Sequence, residues 1–505
     1  MHAESIRPRK RQARAVPART EDPGVHHGPS LPYDPLAPGV PRRLIDAALT
    51  LLEQAGVAFD TDSEAPALFA AAGCEVAADG VVKIPRAVVE AALASVARQA
   101  RLWDRDGTHS LLLDCQHTWF FPGMTCIKVY DLETGEWRAS TGADLALITR
   151  VADALPNIDG VCIACKDIPH SDIHGEIAEF ALMARNTVKP LEYLCEHAAS
   201  FEVVIGMAAA IRGGREALAA KPYFLQIITP LPLNYAKTHV DQVLLAARNG
   251  IPASVGTLPI GGASSPITVA GCIAQSLATD FAGMTLGQLA CRGSFVIGSS
   301  DVSFMEPATG SIGNFVQASL ADMLMCQVRR ELGLPSFTGL GGQSVARRFN
   351  QDAVWEISSN MMQAFYSRPA TCDYLGSLDE GITYSLHSLL LCDDLAGLLR
   401  SLWQGVRIDD DTLALSQALA VGPRGNYLAL DHTASHCREQ LWPTRYFGPH
   451  IPTSMSSLAD QDLHQRIDAD LRRILATHRV PALPDAVLAE LDSIRARFAT
   501  GYTAP

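Results

Sequence analysis

The sequence predicts an α/β fold of the (β/α)8 TIM barrel type, extended by an N-terminal lead-in and a C-terminal helical cap. From Thr118 onward, short apolar runs alternate with longer amphipathic stretches, which is the rhythm of βα units. About eight such units occur, the number that closes a barrel. A doubly wound open sheet is the alternative, but no G-x-G-x-x-G motif follows an early strand, which disfavours a dinucleotide-binding sheet.

Two segments precede the predicted barrel. Residues 1–40 contain a basic cluster and a proline-rich run without the apolar core of a signal peptide, so we expect a disordered tail. Residues 41–115 begin with apolar positions at helical spacing that end near Gly56. We interpret this second segment as a lead-in of helices and short strands.

The barrel is expected within residues 116–407. A Thr-Gly turn between alternating residues predicts a hairpin at 129–138, where it would cover one barrel mouth. Residues 408–505 are expected to form a helical cap, because charge-rich amphipathic spacing runs from Asp460 to Arg497. The eight candidate strands are residues 118–121, 160–166, 191–195, 223–229, 252–257, 294–299, 335–339 and 370–375.

The composition excludes several functional classes. The 505 residues are 48% hydrophobic, which suits a large core, and their formal net charge of −13 argues against a nucleic-acid binder. A cation, a small molecule or another protein is the expected partner. Asp280 and Arg292 interrupt the longest apolar stretch, so no membrane span is expected. The 12 cysteines are scattered through apolar segments, as in a reducing compartment, and we therefore expect a cytoplasmic protein.

Candidate site residues lie where the predicted strands end, because barrel enzymes place their working groups there. Asp301 and Glu306 follow the sixth strand, and the rings of Phe121 and Phe304 lie near the ends of the first and sixth strands. Carboxylates and ring faces together attract a cation, although Asp301 or Glu306 could instead cap the following helix. The other candidates for substrate binding at strand ends are Glu196, Thr229 and Asp373.

A glycine-rich run, G-L-G-G-Q-S at residues 339–344, follows the seventh strand. It suits a phosphate cradle or a close approach of backbone to a bulky ligand, and a flexible loop is the alternative. A P-loop is disfavoured because the G-K-[ST] ending is missing. No G-x-S-x-G elbow supports a serine nucleophile.

A zinc site is a further possibility that the spacing disfavours. Cys162 and Cys165 lie near His170, Asp172 and His174 in sequence, and all are residue types that bind transition metals. A spacing of three on a strand directs the two thiols to opposite faces. We therefore predict no tightly bound metal.

Several motifs together resemble one known family, the trimethylamine methyltransferases. The similarity in order and spacing runs from about Pro41 to Arg497. It implies a (β/α)8 barrel that transfers a methyl group from a methylated amine to the Co(I) of a corrinoid carried on a separate small protein. The motifs are E-F-A-L-M-A-R-N-T-V-K-P at residues 179–190, G-G-A-S-S-P-I-T-V-A-G at 261–271, V-G-P-R-G-N-Y-L at 421–428 and H-T-A-S-H at 432–436.

The sequence departs from this family in two places. Founding members carry pyrrolysine in the barrel, whereas only the twenty ordinary residue types occur here. The resemblance therefore favours a quaternary amine such as glycine betaine, whose fixed charge already makes the nitrogen a leaving group. Residues 343–350 replace the usual acidic and lysine run, so Arg347 and Arg348 become candidates for binding a substrate carboxylate or the acidic partner of the corrin, and a solvated helix start is the alternative. We expect Gln343 to project into the barrel mouth and orient the substrate, with Glu306 as the second catalytic candidate.

Two other functions stay open from the sequence. A barrel of the same descent could use another methyl donor, such as a sulfonium or an aryl ether, in specialised metabolism, or it could bind a methylated osmolyte without catalysis. Because methyl loss removes the positive charge of the substrate, an aromatic cage with few formal charges is expected rather than a carboxylate cage. Apolar residues on the late helices, as at 389–402, leave room for a homo-oligomer.

Overall fold

The computed structural model describes residues 33–313, 316–339, 341–437, 440–442, 444–446 and 462–501. Residues 1–32 of the predicted tail, and residues 447–461 and 502–505 of the predicted cap, lie outside the described residues. Eight short parallel strands, named β1 to β8 here, form the barrel that the sequence predicts. They are β1 Trp119–Pro122, β2 Val161–Cys162, β3 Leu191–Tyr193, β4 Phe224–Ile228, β5 Ala253–Val255, β6 Val296–Gly298, β7 Phe337–Thr338 and β8 Thr371–Leu375.

The eight strands form two parallel ladders. One ladder runs β2-β3-β4-β5-β6 and the other runs β7-β8-β1. Backbone hydrogen bonds join the ladders between β1 and β2, where the N–H of Asp159 donates to the carbonyl of Phe120 at 2.9 Å and the N–H of Thr125 donates to that of Ile163 at 2.6 Å. Side chains join them between β6 and β7, because Arg329 donates to the carbonyl oxygens of both Ser300 and Phe337.

A helix follows each barrel strand and covers the outside of the barrel. The helix after β5 is apolar on all sides and is buried along most of its length, because the barrel lies on one side and the lead-in helices pack on the other. The eight helices are Gly142–Ala154, Ile173–Asn186, Ala198–Arg212, Lys237–Asn249, Val269–Ala290, Val316–Glu331, Gln351–Ser367 and Leu386–Gln404. A short helix, Arg215–Ala220, lies between Ala198–Arg212 and β4.

Short elements surround the barrel at both ends of the chain. Before β1 lie helices Val40–Gln54, Ala65–Ala71 and Arg86–Ser95 and strands Val57–Phe59, Glu75–Val76, Val81–Lys83, Ala100–Trp103 and Ser110–Leu113. The described C-terminal helices are Asp410–Leu413, Leu415–Val421, Asp431–His436, Leu463–Thr477 and Asp485–Gly501. In the described part of the chain, no helix is long and apolar enough to cross a membrane.

Additional short strands and turns lie in the loops after the barrel strands. The predicted hairpin is present, since Lys128–Tyr130 pairs antiparallel with Trp137–Ala139. The remaining short elements are strands Asn234–Tyr235, Ile260–Gly261, Ser303–Met305, Ile312–Gly313, Ser377–Leu378 and Thr383–Tyr384 and the 3-10 turns Ile168–His170 and Asp379–Gly381.

The apolar residues expected to support a homo-oligomer are mostly buried within the single chain. Leu389, Leu395 and Leu399 are buried within the single chain, where helix Leu386–Gln404 packs against its neighbours, and Leu402 alone among the leucines of this helix is exposed. These residues therefore give no reason to expect a subunit contact.

Candidate functional site

A cavity of about 470 Å3 opens at the carboxyl ends of the barrel strands. This is the face on which barrel enzymes place their reacting groups. Seven of the eight strands or the loops directly after them contribute to its wall. The lining side chains include Met124 and Thr125 after β1, Glu192, Leu194 and Glu196 from β3 and its loop, Ile227 and Thr229 from β4 and its end, Thr257 and Leu258 after β5, Ser299 and Asp301 after β6, Phe337 and Thr338 from β7, and Asp373 and Tyr374 from β8.

A bulge in β8 brings two consecutive residues into the cavity. Regular strands direct neighbouring side chains to opposite faces. The pairing of β8 with β1 shifts register between Cys372 and Leu375, and Tyr374 adopts a left-handed backbone with φ 60°. Asp373 and Tyr374 consequently both line the cavity. Thr125, across the wall, is also left-handed at φ 53°, and such conformations of non-glycine residues concentrate at binding and catalytic sites.

Glu192 and Asp373 form a buried carboxyl pair in this wall. Their side chains hydrogen-bond each other, and Thr371 donates its hydroxyl hydrogen to Oδ2 of Asp373 at 2.9 Å. Burial raises the pKa of Asp373 to about 8, and burial together with the charge of Asp373 raises the pKa of Glu192 well above its ordinary value. The two groups therefore hold at least one proton between them at neutral pH.

A second acidic group, Asp301, lies at the junction of β6 and β7. The N–H of Gly339 donates to its Oδ1 at 2.6 Å, and the hydroxyl of Tyr374 hydrogen-bonds the same carboxyl group. Burial raises the pKa of Asp301 to about 6. Behind it, burial and the charge of Asp301 raise the pKa of Asp322 well above its ordinary value.

A buried ion pair supports this junction from behind. Nη2 of Arg329 lies 2.8 Å from Oδ2 of Asp280, and both side chains are almost fully buried. Ser300 donates its hydroxyl hydrogen to the other oxygen of Asp280. Because Arg329 also bonds to backbone on both β6 and β7, the pair fixes the position of the strand ends that carry Asp301.

The lining of the cavity is acidic and holds no lysine or arginine among its described residues. The carboxyl groups are those of Glu192, Glu196, Asp301 and Asp373. Nζ of Lys166 lies 3.0 Å from a carboxylate oxygen of Glu179 and 3.8 Å from one of Glu196. Burial lowers the pKa of His239, so this lining residue is neutral near pH 7. The cavity therefore suits a cation. Some of its buried carboxyl groups keep their protons, which lowers the negative charge of the cavity.

The structure brings four of the ten residues suggested by the sequence into one place. Glu196, Thr229, Asp301 and Asp373 all line the cavity. The other six are not among the lining residues, and they are Phe121, Phe304, Glu306, Gln343, Arg347 and Arg348.

The two aromatic residues lie outside this lining. A Cβ atom on Gly160 would come within 2.0 Å of the Phe121 ring, and one on Gly261 would come within 2.4 Å of the Phe304 ring. Each ring thus packs directly against a glycine. The aromatic side chains that do line the cavity are Phe337 and Tyr374, so the wall is richer in carboxyl groups than in rings.

The four polar candidates outside the lining have local partners. The guanidinium carbon of Arg348 lies 5.9 Å from the centroid of the Trp137 ring. Oε1 of Glu306 accepts a hydrogen bond from the N–H of Ala308 within the turn between two short strands. The backbone carbonyl of Gln343 accepts one from Asn360 at 3.0 Å. Arg347 is 75% exposed and lies 3.4 Å from Asp379. None of these residues lines the cavity, and their roles in binding or catalysis stay predictions.

The residue that sequence reasoning missed is Glu192. It lies within an apolar strand, L-E-Y-L, and the residues after the strand attracted attention instead. A charged side chain inside a strand that is buried on both faces is itself a signal, because an unpaired charge is costly there. Glu192, Leu194 and Glu196 alternate along the chain and share the inner face.

The suggested zinc ligands do not meet. Cys162 and Cys165 are fully buried, and burial raises the pKa of both thiols well above the ordinary value. Among the described residues, these two cysteines do not lie close enough to His170, Asp172 or His174 to share a metal ion with them.

Comparison with known proteins gives consistent matches along the chain. A family described as trimethylamine methyltransferase matches residues 4–500. A trimethylamine methyltransferase of Desulfitobacterium hafniense is 27% identical over 458 residues, covering 89% of this chain and 90% of the relative. A trimethylamine methyltransferase of Methanosarcina barkeri is 26% identical over 452 residues, covering 86% and 89%.

Two further matches have related names. A glycine betaine methyltransferase of Desulfitobacterium hafniense is 26% identical over 477 residues, covering 92% of this chain and 97% of the relative. Among solved structures, the monomethylamine methyltransferase of Methanosarcina barkeri matches with a TM-score of 0.48 and 11% identity, covering 94% of this chain and 90% of the other.

Proposed function

Because the chain belongs to the trimethylamine methyltransferase family and is an enzyme of methyl transfer, we propose that its methyl donor is a quaternary or tertiary methylamine of the glycine betaine type. The acceptor in this proposal is the Co(I) of a corrinoid carried on a separate protein. The reaction takes place in the cytoplasm in the same proposal.

The observation that carries this proposal is the acidic cavity without a lysine or arginine in its described lining. A quaternary amine has a fixed positive charge and no N–H group, so it is held by charge and shape rather than by directed hydrogen bonds. Carboxyl oxygens of Glu192, Asp301 and Asp373 surround the volume that it would fill.

The protons held in the cavity suit the change of charge during the reaction. Methyl loss turns a cationic amine into a neutral one, so a fully ionised carboxylate cage would stabilise the substrate more than the transition state. The Glu192–Asp373 pair carries less than two negative charges at neutral pH, because the pKa of each group is raised. The cage thereby attracts the cation without a large penalty on methyl transfer.

Hydroxyl groups in the lining can receive the uncharged or anionic end of the donor. Oγ1 of Thr257 is buried and has no hydrogen-bond partner among the described residues. It lies in the cavity wall with Thr229 and Ser299. In this proposal these hydroxyls take the role that the sequence suggested for Gln343, which is to orient the substrate through its carboxylate or hydroxyl.

The surface around the cavity suits contact with a corrinoid protein. When bound, the corrinoid supplies the nucleophile, and this chain's residues hold the donor and exclude water. Exposed apolar side chains occur in segments that follow five of the barrel strands, on the face where the cavity opens. They are Ile127, Leu231, Leu258, Val345 and Ile382.

The proposal is tested by mixing the purified chain with a reduced corrinoid protein and a panel of methyl donors. The panel comprises glycine betaine, carnitine, tetramethylammonium, trimethylamine, a methyl sulfonium and an aryl methyl ether. Demethylated product is measured by mass spectrometry and the corrinoid by its visible spectrum. We expect product from at least one methylated amine and none from the aryl ether.

Two controls make the outcome decisive. Methyl iodide establishes that the corrinoid protein accepts methyl groups, and calorimetry without corrinoid measures donor binding alone. Transfer only from the sulfonium or the ether overturns the amine assignment. Micromolar amine binding without any transfer to a competent corrinoid protein overturns catalysis and favours an osmolyte-binding protein.

A further inference from the structure

The H-T-A-S-H motif of the C-terminal region contributes no residue to the described lining of the barrel cavity. His432 and His436 are spaced by four residues on the short helix Asp431–His436 and therefore lie on one face of it. That face meets Asp411, on helix Asp410–Leu413. We propose that Asp411, His432 and His436 bind one divalent transition-metal ion, with zinc as the best-matched ion.

The geometry of the three side chains suits a tetrahedral ion. One donor atom from each residue lies within 4.8 Å of the other two. Nε2 of His436 lies 3.3 Å from Oδ2 of Asp411, and Nε2 of His432 lies 3.0 Å from the backbone carbonyl oxygen of Asp411. Donors on a tetrahedral zinc ion with bonds of about 2.0–2.1 Å are separated by about 3.3 Å.

The donor set selects the class of metal. Two imidazole nitrogens and one carboxylate oxygen are typical ligands of zinc and of neighbouring transition metals, whereas calcium and magnesium prefer oxygen donors alone. The rings of His432 and His436 lie with centroids 4.4 Å apart and planes inclined by 48°, so they converge without stacking face to face.

A second observation shows why an ion would matter in this segment. None of the helices Asp410–Leu413, Leu415–Val421 and Asp431–His436 contains a buried residue. Leu413, Leu415, Leu419 and Leu428 are 61%, 64%, 75% and 83% exposed. The segment therefore gains little from hydrophobic burial, and a metal that joins residue 411 to residues 432 and 436 would supply a cross-link in its place.

Arg407 is the natural competitor for the metal. Its Nη2 lies 3.0 Å from Oδ2 of Asp411, the oxygen that also faces His436. The guanidinium and a bound cation would repel each other and draw on the same carboxylate. Removing Arg407 should therefore strengthen metal binding, whereas removing a ligand should weaken it.

The test uses the full-length chain stripped of metal with a chelator and then titrated with Zn²⁺, and with Co²⁺ as a spectroscopic probe. We expect one ion per chain by elemental analysis. His436→Gln and Asp411→Asn should each weaken binding at least tenfold, and Arg407→Gln should strengthen it severalfold. His170→Gln is the matched control, because His170 is an exposed histidine 3.1 Å from a single aspartate, Asp167.

Limited trypsin digestion gives a readout at the segment itself. Arg424 is exposed and lies between the two parts that the metal would join. Zn²⁺ should slow cleavage after Arg424 in the unsubstituted chain and have no effect in His436→Gln. The proposal is overturned by binding well below one ion per chain, by equal affinities of His436→Gln and His170→Gln, or by no gain in Arg407→Gln. None of these measurements involves a methyl donor or a corrinoid, so they stand apart from the proposed enzymatic function.

Discussion

The carboxyl group of Glu192 on β3 hydrogen-bonds that of Asp373 on β8, although β3 and β8 are not neighbours in either ladder. Two strands, β1 and β2, lie between them around the barrel, so the contact crosses the barrel mouth. Glu192 Oε2 and Asp373 Oδ1 are buried and meet no N–H or O–H donor from other described groups. The hydrogen bond between the two carboxyl groups therefore requires that one of them is protonated.

This shared proton predicts how stability depends on pH. The folded-state pKa of Asp373, about 8, is far above its ordinary value of 3.8, so the folded chain binds a proton that the unfolded chain releases. Its stabilising contribution is fully present below about pH 4 and is lost as pH rises towards 8. The double variant with Glu192→Gln and Asp373→Asn should lose this dependence, which amounts to at most about 1.4 kcal/mol per pH unit for each group.

The measurement is the difference in Tm between the double variant and the unsubstituted chain from pH 4.5 to 8.5. We expect the Tm of the double variant, relative to that of the unsubstituted chain, to increase as pH rises. Asp352→Asn, at an exposed aspartate, serves as the control and should follow the unsubstituted chain. Parallel curves for the double variant and the unsubstituted chain would show that the pair ionises normally.

A second prediction concerns Gly256, in the cavity wall after β5. A Cβ atom there would lie 2.3 Å from both the carbonyl carbon of Ser299 and the nitrogen of Ser300, which are backbone atoms that cannot rotate away. Gly256→Ala should therefore lower the free energy of unfolding by about 1–3 kcal/mol or more, and methyl transfer should fall with it.

Gly206 provides the matched comparison for Gly256. It lies within helix Ala198–Arg212, and a Cβ atom there meets nothing within 4 Å. Gly206→Ala should raise the free energy of unfolding by about 0.5–1 kcal/mol, since alanine restricts the unfolded chain and favours the helix. Denaturant unfolding of both variants checks the pair, and equal effects of the two substitutions would contradict the packing described at Gly256.

The ion pair at the junction of β6 and β7 gives a third prediction. Arg329→Met leaves Asp280 buried without its cation and removes two bonds to backbone, which should cost about 3–5 kcal/mol. Arg347→Met removes an exposed ion pair and should change stability by no more than about 0.5 kcal/mol. Thermal unfolding of the two variants side by side measures this difference. A Tm of Arg329→Met equal to that of the unsubstituted chain would contradict the prediction.

Much of the fold could be predicted from the sequence because barrel strands buried on both faces appear as short apolar runs. The run at 370–375 contains β8 as Thr371–Leu375, and the run at 223–229 contains β4 as Phe224–Ile228. The bulge at Asp373 and Tyr374 could not be predicted, because the one-residue register shift depends on pairing with β1 rather than on local composition.

The site was less accessible to sequence reasoning than the fold. Residues after strands were good candidates where the side chain continues the inner face, as with Glu196 and Thr229. Position after a strand does not decide which way a loop residue points, and Gln343 and Glu306 belong to turns with their own hydrogen bonds. The aromatic cage expected at Phe121 is replaced by a cage of carboxyl groups whose raised pKa values reduce their charge.

A fourth prediction compares Gln343 with Asp301. Asp301 lines the cavity and Gln343 does not, so Asp301→Asn should lower the single-turnover rate at least tenfold, while Gln343→Ala should stay within about twofold. Both rates are measured at saturating corrinoid protein, with a melting curve for each variant. A tenfold or greater loss in well-folded Gln343→Ala would assign Gln343 the orienting role that the sequence suggests.

The central claim is that a cationic methyl donor lies against the Glu192–Asp373 pair while its methyl group is transferred. The most direct test is the single-turnover rate and the Kd of the best amine donor from pH 7.5 to 9.5, above the pKa of about 6 of Asp301, in the unsubstituted chain and in the Glu192→Gln, Asp373→Asn double variant. As pH rises through about 8 the pair gains negative charge, which should tighten binding of the cation and slow its loss of charge. We expect the Kd and the rate to fall together in the unsubstituted chain and to stay flat in the double variant. A rate and a Kd with the same pH dependence in both proteins would contradict the claim.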